Sequence, residues 1–242
     1  MNASPDGYTL LAVSPGAAIN ATLYDKLSFD FLSDIAPVAG IIRVPNVMAV
    51  TPSLPVKTVP EFLAYAKANP DKINYGSAGT GSSNHLSGEL LKMMTGVRMV
   101  HVPYRGAAPA LTDLIGGQVQ AIFSSVTSTV EYIKAEKVRA LAVTSTARSE
   151  VLPDVPTVAD FVPGYEASNW WGIAAPKATP AEIVDRLNKE INAALADPTI
   201  KARLADLGSL PTPMSPAEFE KYIVAETETW AKVIREANIP LQ

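Results

Sequence analysis

"INYGSAGTGSSNHLSGELLKMMTGVRMVHVPYRGAAPALTDLIGGQVQAIFSS", residues 73–125, decides the fold. Three β-rich runs, "INYGSAG", "MVHVPY" and "VQAIFSS", alternate with "NHLSGELLKMMTG" and "APALTDLIGG". The apolar residues of the last two recur at three- and four-residue spacing, which lines one face of a helix; short, continuously apolar runs suit strands buried on both faces. The alternation predicts α/β layers around a largely parallel sheet. Working outward, "YTLLAV", "NVMAV" and "VRALAVTS" read as further strands, and "VPEFLAYAKANP" and "TVEYIKAE" as further helices. "YEASNWWGIAAPK" is strand-like, and from Pro176 onward only helices rich in Ala, Glu and Lys are expected.

Composition narrows the function classes. The chain has 242 residues, 48% of them hydrophobic, enough for one large domain or two modest ones. A net charge of −4 without a Lys/Arg run argues against a nucleic-acid partner. Zero cysteine excludes disulfides and thiolate metal sites without identifying a compartment. No apolar stretch has the length of a membrane helix, and "MNASPDGYTLLAVSPG" lacks the basic start of a signal peptide.

Three helix starts carry capping-box spacing: Thr58-Val-Pro-Glu61, Thr179-Pro-Ala-Glu182 and Ser215-Pro-Ala-Glu218. In that motif the hydroxyl and the glutamate each satisfy a free backbone N–H, and proline sits where no N–H is needed. Asp197-Pro198 is expected to open another helix and Gly208 to close it.

The glycine-rich loop 76–83 fits no nucleotide template. Gly76-Ser-Ala-Gly-Thr-Gly81 has the glycine spacing of a phosphate loop, but Ser82 stands where the lysine must be. Read as G-x-G-x-x-G from Gly79, the third glycine position holds Asn84. No G-x-S-x-G elbow occurs. What remains is a helix N-terminus with free N–H donors and the hydroxyls of Ser77, Thr80, Ser82 and Ser83, suited to a carboxylate. The plain alternative is a tight strand-to-helix turn capped by Ser82 or Ser83. His85 and Glu89 are spaced for half a metal site, but no third ligand is evident, and the reading is a helix-surface pair with no metal. Ser82 and His85, three apart on one helical turn, lack an orienting acid for nucleophilic catalysis. Tyr104-Arg105-Gly106, "FSSVTS" at 123–128 and Ser14-Pro-Gly16 are further strand-to-helix junctions with small or polar residues. Together the four suggest one cleft at the carboxyl ends of strands.

"SPDGYTLL", "PNVMAVTPSLPVKT", "NYGSAGTGSSNHLSGELL", "VPYRGAAPALTDLIGGQV" and "LPDVPTVAD…GYEASNWWGIAAPKATP" resemble, in order, the Bug-type substrate-binding proteins of tripartite tricarboxylate transporters. The resemblance implies an α/β, two-lobed periplasmic binding protein type II-like fold with hinge-crossing strands near Val44–Val50 and Ser168–Ala174. Residues 1–47 and 173–242 would form lobe one, and residues 48–172 lobe two. It further implies a solute-binding receptor, not an enzyme, that captures a small organic carboxylate in an interlobe cleft for membrane transporter subunits. The ligand classes are dicarboxylate, tricarboxylate, amino acid or aromatic acid, with no cofactor. Carried onto this sequence, the ligand-binding residues are Ser14, Pro15, Ser77, Ala78, Gly79, Gly81, Ser82, Tyr104, Gly106, Ser125, Asn169 and Trp170. The family's signal peptide, first strand and Pro-Gly-Gly loop should precede "SPDGYTLL", so lobe one is expected to be incomplete at its N-terminus. Localisation is periplasmic by the resemblance, or cytoplasmic if Met1 is the true start. The alternatives are a truncated non-binding paralogue or fragment, and a serine-dependent hydrolase using Ser82 or His85.

Overall fold

A computed structural model of the chain describes residues 3–241. Contacts divide the chain into two compact units, Met1–Arg43 with Asn169–Gln242, and Val44–Ser168. The first unit opens with β1 (Leu11–Val13), α1 (Pro15–Leu23) and β2 (Ile35–Val44). The second holds β3 (Asn46–Val50), α2 (Val59–Ala68), β4 (Asn74–Ser77), α3 (Ser83–Thr95), β5 (Val100–Pro103), α4 (Ala107–Ile115), β6 (Ala121–Ser125), α5 (Val126–Lys134) and β7 (Arg139–Val143). The chain then returns to the first unit with β8 (Asn169–Pro176), α6 (Ala181–Ala196), α7 (Pro198–Asp206), β9 (Leu210–Pro211) and α8 (Pro216–Glu236).

In the second unit the strand order is β5-β4-β6-β3-β7. The largely parallel sheet expected from the alternation is instead mixed. β4 runs parallel to β5 and β6, joined by the crossover helices α3 and α4, but β3 lies between β6 and β7 and runs opposite to both. Pairing of β3 with strands more than seventy residues away leaves no local trace in sequence. Alternation along β4 places helices on both faces. Tyr75 faces α3, where Gly88 leaves room for its ring; Gly76 faces Ala110 of α4 and Tyr104. Around α4, Ala49, Leu111, Leu114, Val119, Ile122 and Val138 form one buried cluster.

In the first unit the order is β1-β8-β2-β9, with β1/β8 and β2/β9 antiparallel. β9 corrects the expectation that strands cease at Pro176; a two-residue strand is too short to show a period. Val38, Ala39 and Ala175 bury against Val184 of α6, with Leu187 and Ile191 alongside. α8 contributes Phe219, Ile223, Trp230, Val233 and Ile234 to the interior. Of the helix starts, Ser215–Glu218 forms the full reciprocal box, and Asp197 Oδ1 accepts from the N–H groups of Thr199 and Ile200. Thr58 caps Glu61 N–H, but the Glu61 carboxylate reaches back to Lys57 N–H, one residue beyond the box. Thr179 is a correction: its N–H closes a turn onto Pro176, its hydroxyl is buried without a partner among the described residues, and α6 starts after Pro180.

Candidate functional site

Because β4 is parallel to both neighbours, the carboxyl ends of β5, β4 and β6 share one sheet edge. Each strand leads into a helix there, so the N-termini of α4, α3 and α5 gather at that edge of the second unit. A helix N-terminus presents N–H groups with no intrahelical acceptor and about half a positive charge, which favours an anion.

The β4–α3 loop is built by its own side chains. Ser82 is the N-cap; its Oγ accepts from His85 N–H and donates to the Gly79 carbonyl at 2.7 Å. Gly79 has φ +132°, a conformation that a side chain strains, and its N–H is taken by Ser77 Oγ. Gly81 N–H donates to His85 Nδ1 at 3.2 Å, so this amide faces the protein. Among the described residues, the backbone N–H groups of Ala78, Thr80, Ser83 and Asn84 have no protein acceptor. These four are the loop's available donors.

The β5–α4 junction is sewn to it. Tyr104 N–H donates to Ser77 O and Gly106 N–H to Ala78 O. Gly106 caps α4 with φ +112°, and nothing among the described residues lies within 4 Å of where a Cβ would sit. Among the described residues Arg105, Ala107 and Ala108 also offer N–H groups without a protein acceptor, and Arg105 is exposed. Tyr104 Oη donates to Asp113 at 2.7 Å; burial and that carboxylate push the phenol up to about 12. The β6–α5 junction contributes hydroxyls more than amides: Ser125 Oγ accepts from Ser128 N–H and bonds its hydroxyl, and Val126 N–H is held by Pro45 O.

The sequence-derived candidates therefore fall into two sets. Ser77, Ala78, Gly79, Gly81, Ser82, Tyr104, Gly106 and Ser125 come together at one edge of the second unit. Ser14, Pro15, Asn169 and Trp170 lie in the first unit. There Ser14 is the N-cap of α1 with no side-chain cap bond, Pro15 is its first residue, and Asn169 opens β8. Trp170 is buried; its Nε1–H donates to Glu226 and its ring meets Phe219 and Tyr222 edge-on. A cavity of about 670 Å³ in the first unit is lined by Asp25, Asp30 and Asp34 among others, a charge pattern that repels a carboxylate.

Beneath the loop lies a cluster that the sequence reading did not assemble. His85 and Glu89 are buried, not a helix-surface pair. The His85 ring stacks on His101 with centroids 3.7 Å apart and planes at 18°. Tyr75 Oη donates to Glu89 at 2.5 Å, and Lys92 Nζ also reaches Glu89, at 2.8 Å. Burial pushes His85 down to about 4, with Lys92 adding to it. His101 also falls to about 4, through burial first and then His85 and Lys92, against an opposing pull from Glu89. Burial and Glu89 hold the Tyr75 phenol far above its ordinary range. Among the described residues no three His, Asp or Glu side chains converge as a metal site.

The fold is that of periplasmic binding proteins, a class of receptors without a chemical step. The chain belongs to the tripartite tricarboxylate transporter receptor family, whose model matches residues 1–239. A protein of R. palustris solved with adipate is 38% identical with TM-score 0.86, over 99% of this chain and 81% of its own. The periplasmic binding protein BugD is 34% identical with TM-score 0.83, over 100% of this chain and 82% of its own. MatC from Rhodopseudomonas palustris, solved with bound malate, is 33% identical with TM-score 0.79, over 96% of this chain and 81% of its own. The family members and structural neighbours are solute-binding proteins, not enzymes. Ser82 Oγ meets the backbone N–H of His85, not its ring, whose Nδ1 accepts from Gly81 N–H.

Proposed function

We propose that this protein captures a small organic carboxylate in the periplasm and presents it to the membrane subunits of a tripartite tricarboxylate-type transporter. The observation that carries the reading is the convergence of the α3, α4 and α5 N-termini at the carboxyl edge of β5-β4-β6, with seven backbone N–H groups unpaired among the described residues. One carboxylate of the ligand, with about four acceptor sites, would draw its donors from the Ala78, Thr80, Ser83 and Asn84 amides and the Arg105, Ala107 and Ala108 amides, with Ser125 Oγ at the rim. Backbone donors need no ion pair, and their partial charges favour an anion. Gly106 leaves space beside those donors. The first unit has a helix N-terminus of its own, that of α1 after Ser14.

Adipate and malate, found in the two R. palustris neighbours, are both dicarboxylates, and we place that class ahead of tricarboxylates, amino acids and aromatic acids. Titration calorimetry with malate and adipate against their diamides tests the reading. The acids are expected to bind and the diamides to give no heat. Equal binding of acids and diamides, or no binding across all four ligand classes, contradicts it.

A further inference from the structure

We propose that His85 and His101 are positioning residues of the β4–α3 loop, whose stacked imidazoles turn two amides inward and so decide which amides remain for a ligand. Each ring holds one glycine. His85 Nδ1 accepts Gly81 N–H at 3.2 Å. His101 Nε2 bonds Ser77 Oγ at 2.6 Å, and that oxygen accepts Gly79 N–H at 3.1 Å. The rings come from different elements, α3 and β5, and stack at 3.7 Å, so each holds the other's acceptor atom in place. Tyr75 of β4 supports the pair from below, 5.1 Å from His101 and 6.4 Å from His85 between centroids. Four amides of the loop are left for a ligand because these two are not.

The arrangement requires an unprotonated Nδ1 on His85, since Gly81 can only donate to a lone pair. The titratable groups around that ring are Glu89 and Lys92 from its own helix, His101 from β5 and Tyr75 from β4; His85 Nε2 stands 3.8 Å from Glu89 Oε1. Lys92 already neutralises Glu89, and burial disfavours imidazolium, so both rings are neutral near pH 7. Acidification towards pH 4 places a proton on the acceptor and releases Gly81. The consequence for ligand affinity rests on the receptor reading above; the loop geometry does not.

Amide hydrogen exchange of the full chain tests this without a ligand, comparing wild type, His85→Asn and His85→Leu at pH 7, with α2 amides as the folding control. Asn presents Oδ1 near the place of Nδ1. In His85→Leu the Gly81 amide is expected to exchange about tenfold faster, the loss of one net hydrogen bond, and in His85→Asn to stay within about threefold of wild type. Gly81 as protected in a folded His85→Leu as in wild type overturns the proposal. Should His85→Leu not fold, acidification decides. After correction for intrinsic rates, wild type must lose Gly81 protection towards pH 4 while His85→Asn keeps it, and parallel behaviour overturns the proposal. Failure of malate and adipate to bind wild type counts against the receptor reading alone.

Discussion

The ring of Tyr75 lies across Gly88 so closely that a Cβ built on Gly88 falls 2.4 Å from Tyr75 Cε2. In an ordinary helix interior, glycine to alanine gains about 1 kcal/mol. Here the methyl must displace a fully buried ring whose hydroxyl is bonded to Glu89. Gly88→Ala is therefore expected to destabilise by roughly 2 kcal/mol, in the range for overpacked cores. Urea denaturation checks the sign; a stabilised variant contradicts the packing of α3 on β4.

Stability should fall as pH drops from about 6.5 to about 4. His85 and His101 titrate near 4 in the folded chain and at their ordinary 6.5 when unfolded. Between those values the unfolded state binds more protons, so acid favours it. For His85 alone the loss by pH 5 is about 2 kcal/mol, or roughly 4–8 °C in Tm. Asp197 and Glu218 act lower down: backbone N–H bonds hold both carboxylates below their ordinary values, so their contribution goes only as pH falls further. A Tm series from pH 7 to 4, with His85→Asn/His101→Asn as the reference, reads the histidine part. A wild-type Tm that is flat from pH 7 to 5 contradicts it.

Two similar helix starts should respond oppositely to loss of a hydroxyl. Ser215 Oγ accepts Glu218 N–H, so Ser215→Ala is expected to cost about 1 kcal/mol. Thr179 Oγ1 is buried without a partner among the described residues, so the isosteric Thr179→Val is expected to be neutral or stabilising by about 1 kcal/mol. Chemical denaturation of both variants checks the pair; a Thr179→Val loss as large as that of Ser215→Ala contradicts the cap assignment.

These two positions also show what is legible in a sequence. A cap made by residues three apart is local chemistry, and Ser215–Glu218 reads correctly. Thr179 has the same spacing, but a competing local turn from Pro176 and burial of the hydroxyl, a tertiary effect, override it. The elements between Ile73 and Ser125 are legible because helix and strand periods alternate cleanly there. Strand direction is not: the antiparallel placement of β3 depends on Asn46 meeting Ser125 and Val47 meeting Val143, contacts with no local signature. At the site, the glycines, the Ser82 cap and the hydroxyls stand in one stretch of sequence. The pairing of His85 with His101 across two elements does not, nor does the inward turn of Gly81 N–H. Asn46 is likewise silent in sequence, yet its buried Nδ2 donates to Ser87 Oγ and Ala167 O and ties β3 to α3.

The most direct test of the central claim is a ¹H–¹⁵N shift titration of the labelled chain with malate and adipate. The account predicts saturable shifts of the Ala78, Thr80, Ser83, Asn84, Arg105, Ala107 and Ala108 amides, while Gly79 and Gly81, whose protons are held by Ser77 and His85, move less. Binding that leaves those seven amides unmoved, and instead shifts residues around Asp25, Asp30 and Asp34, would contradict it.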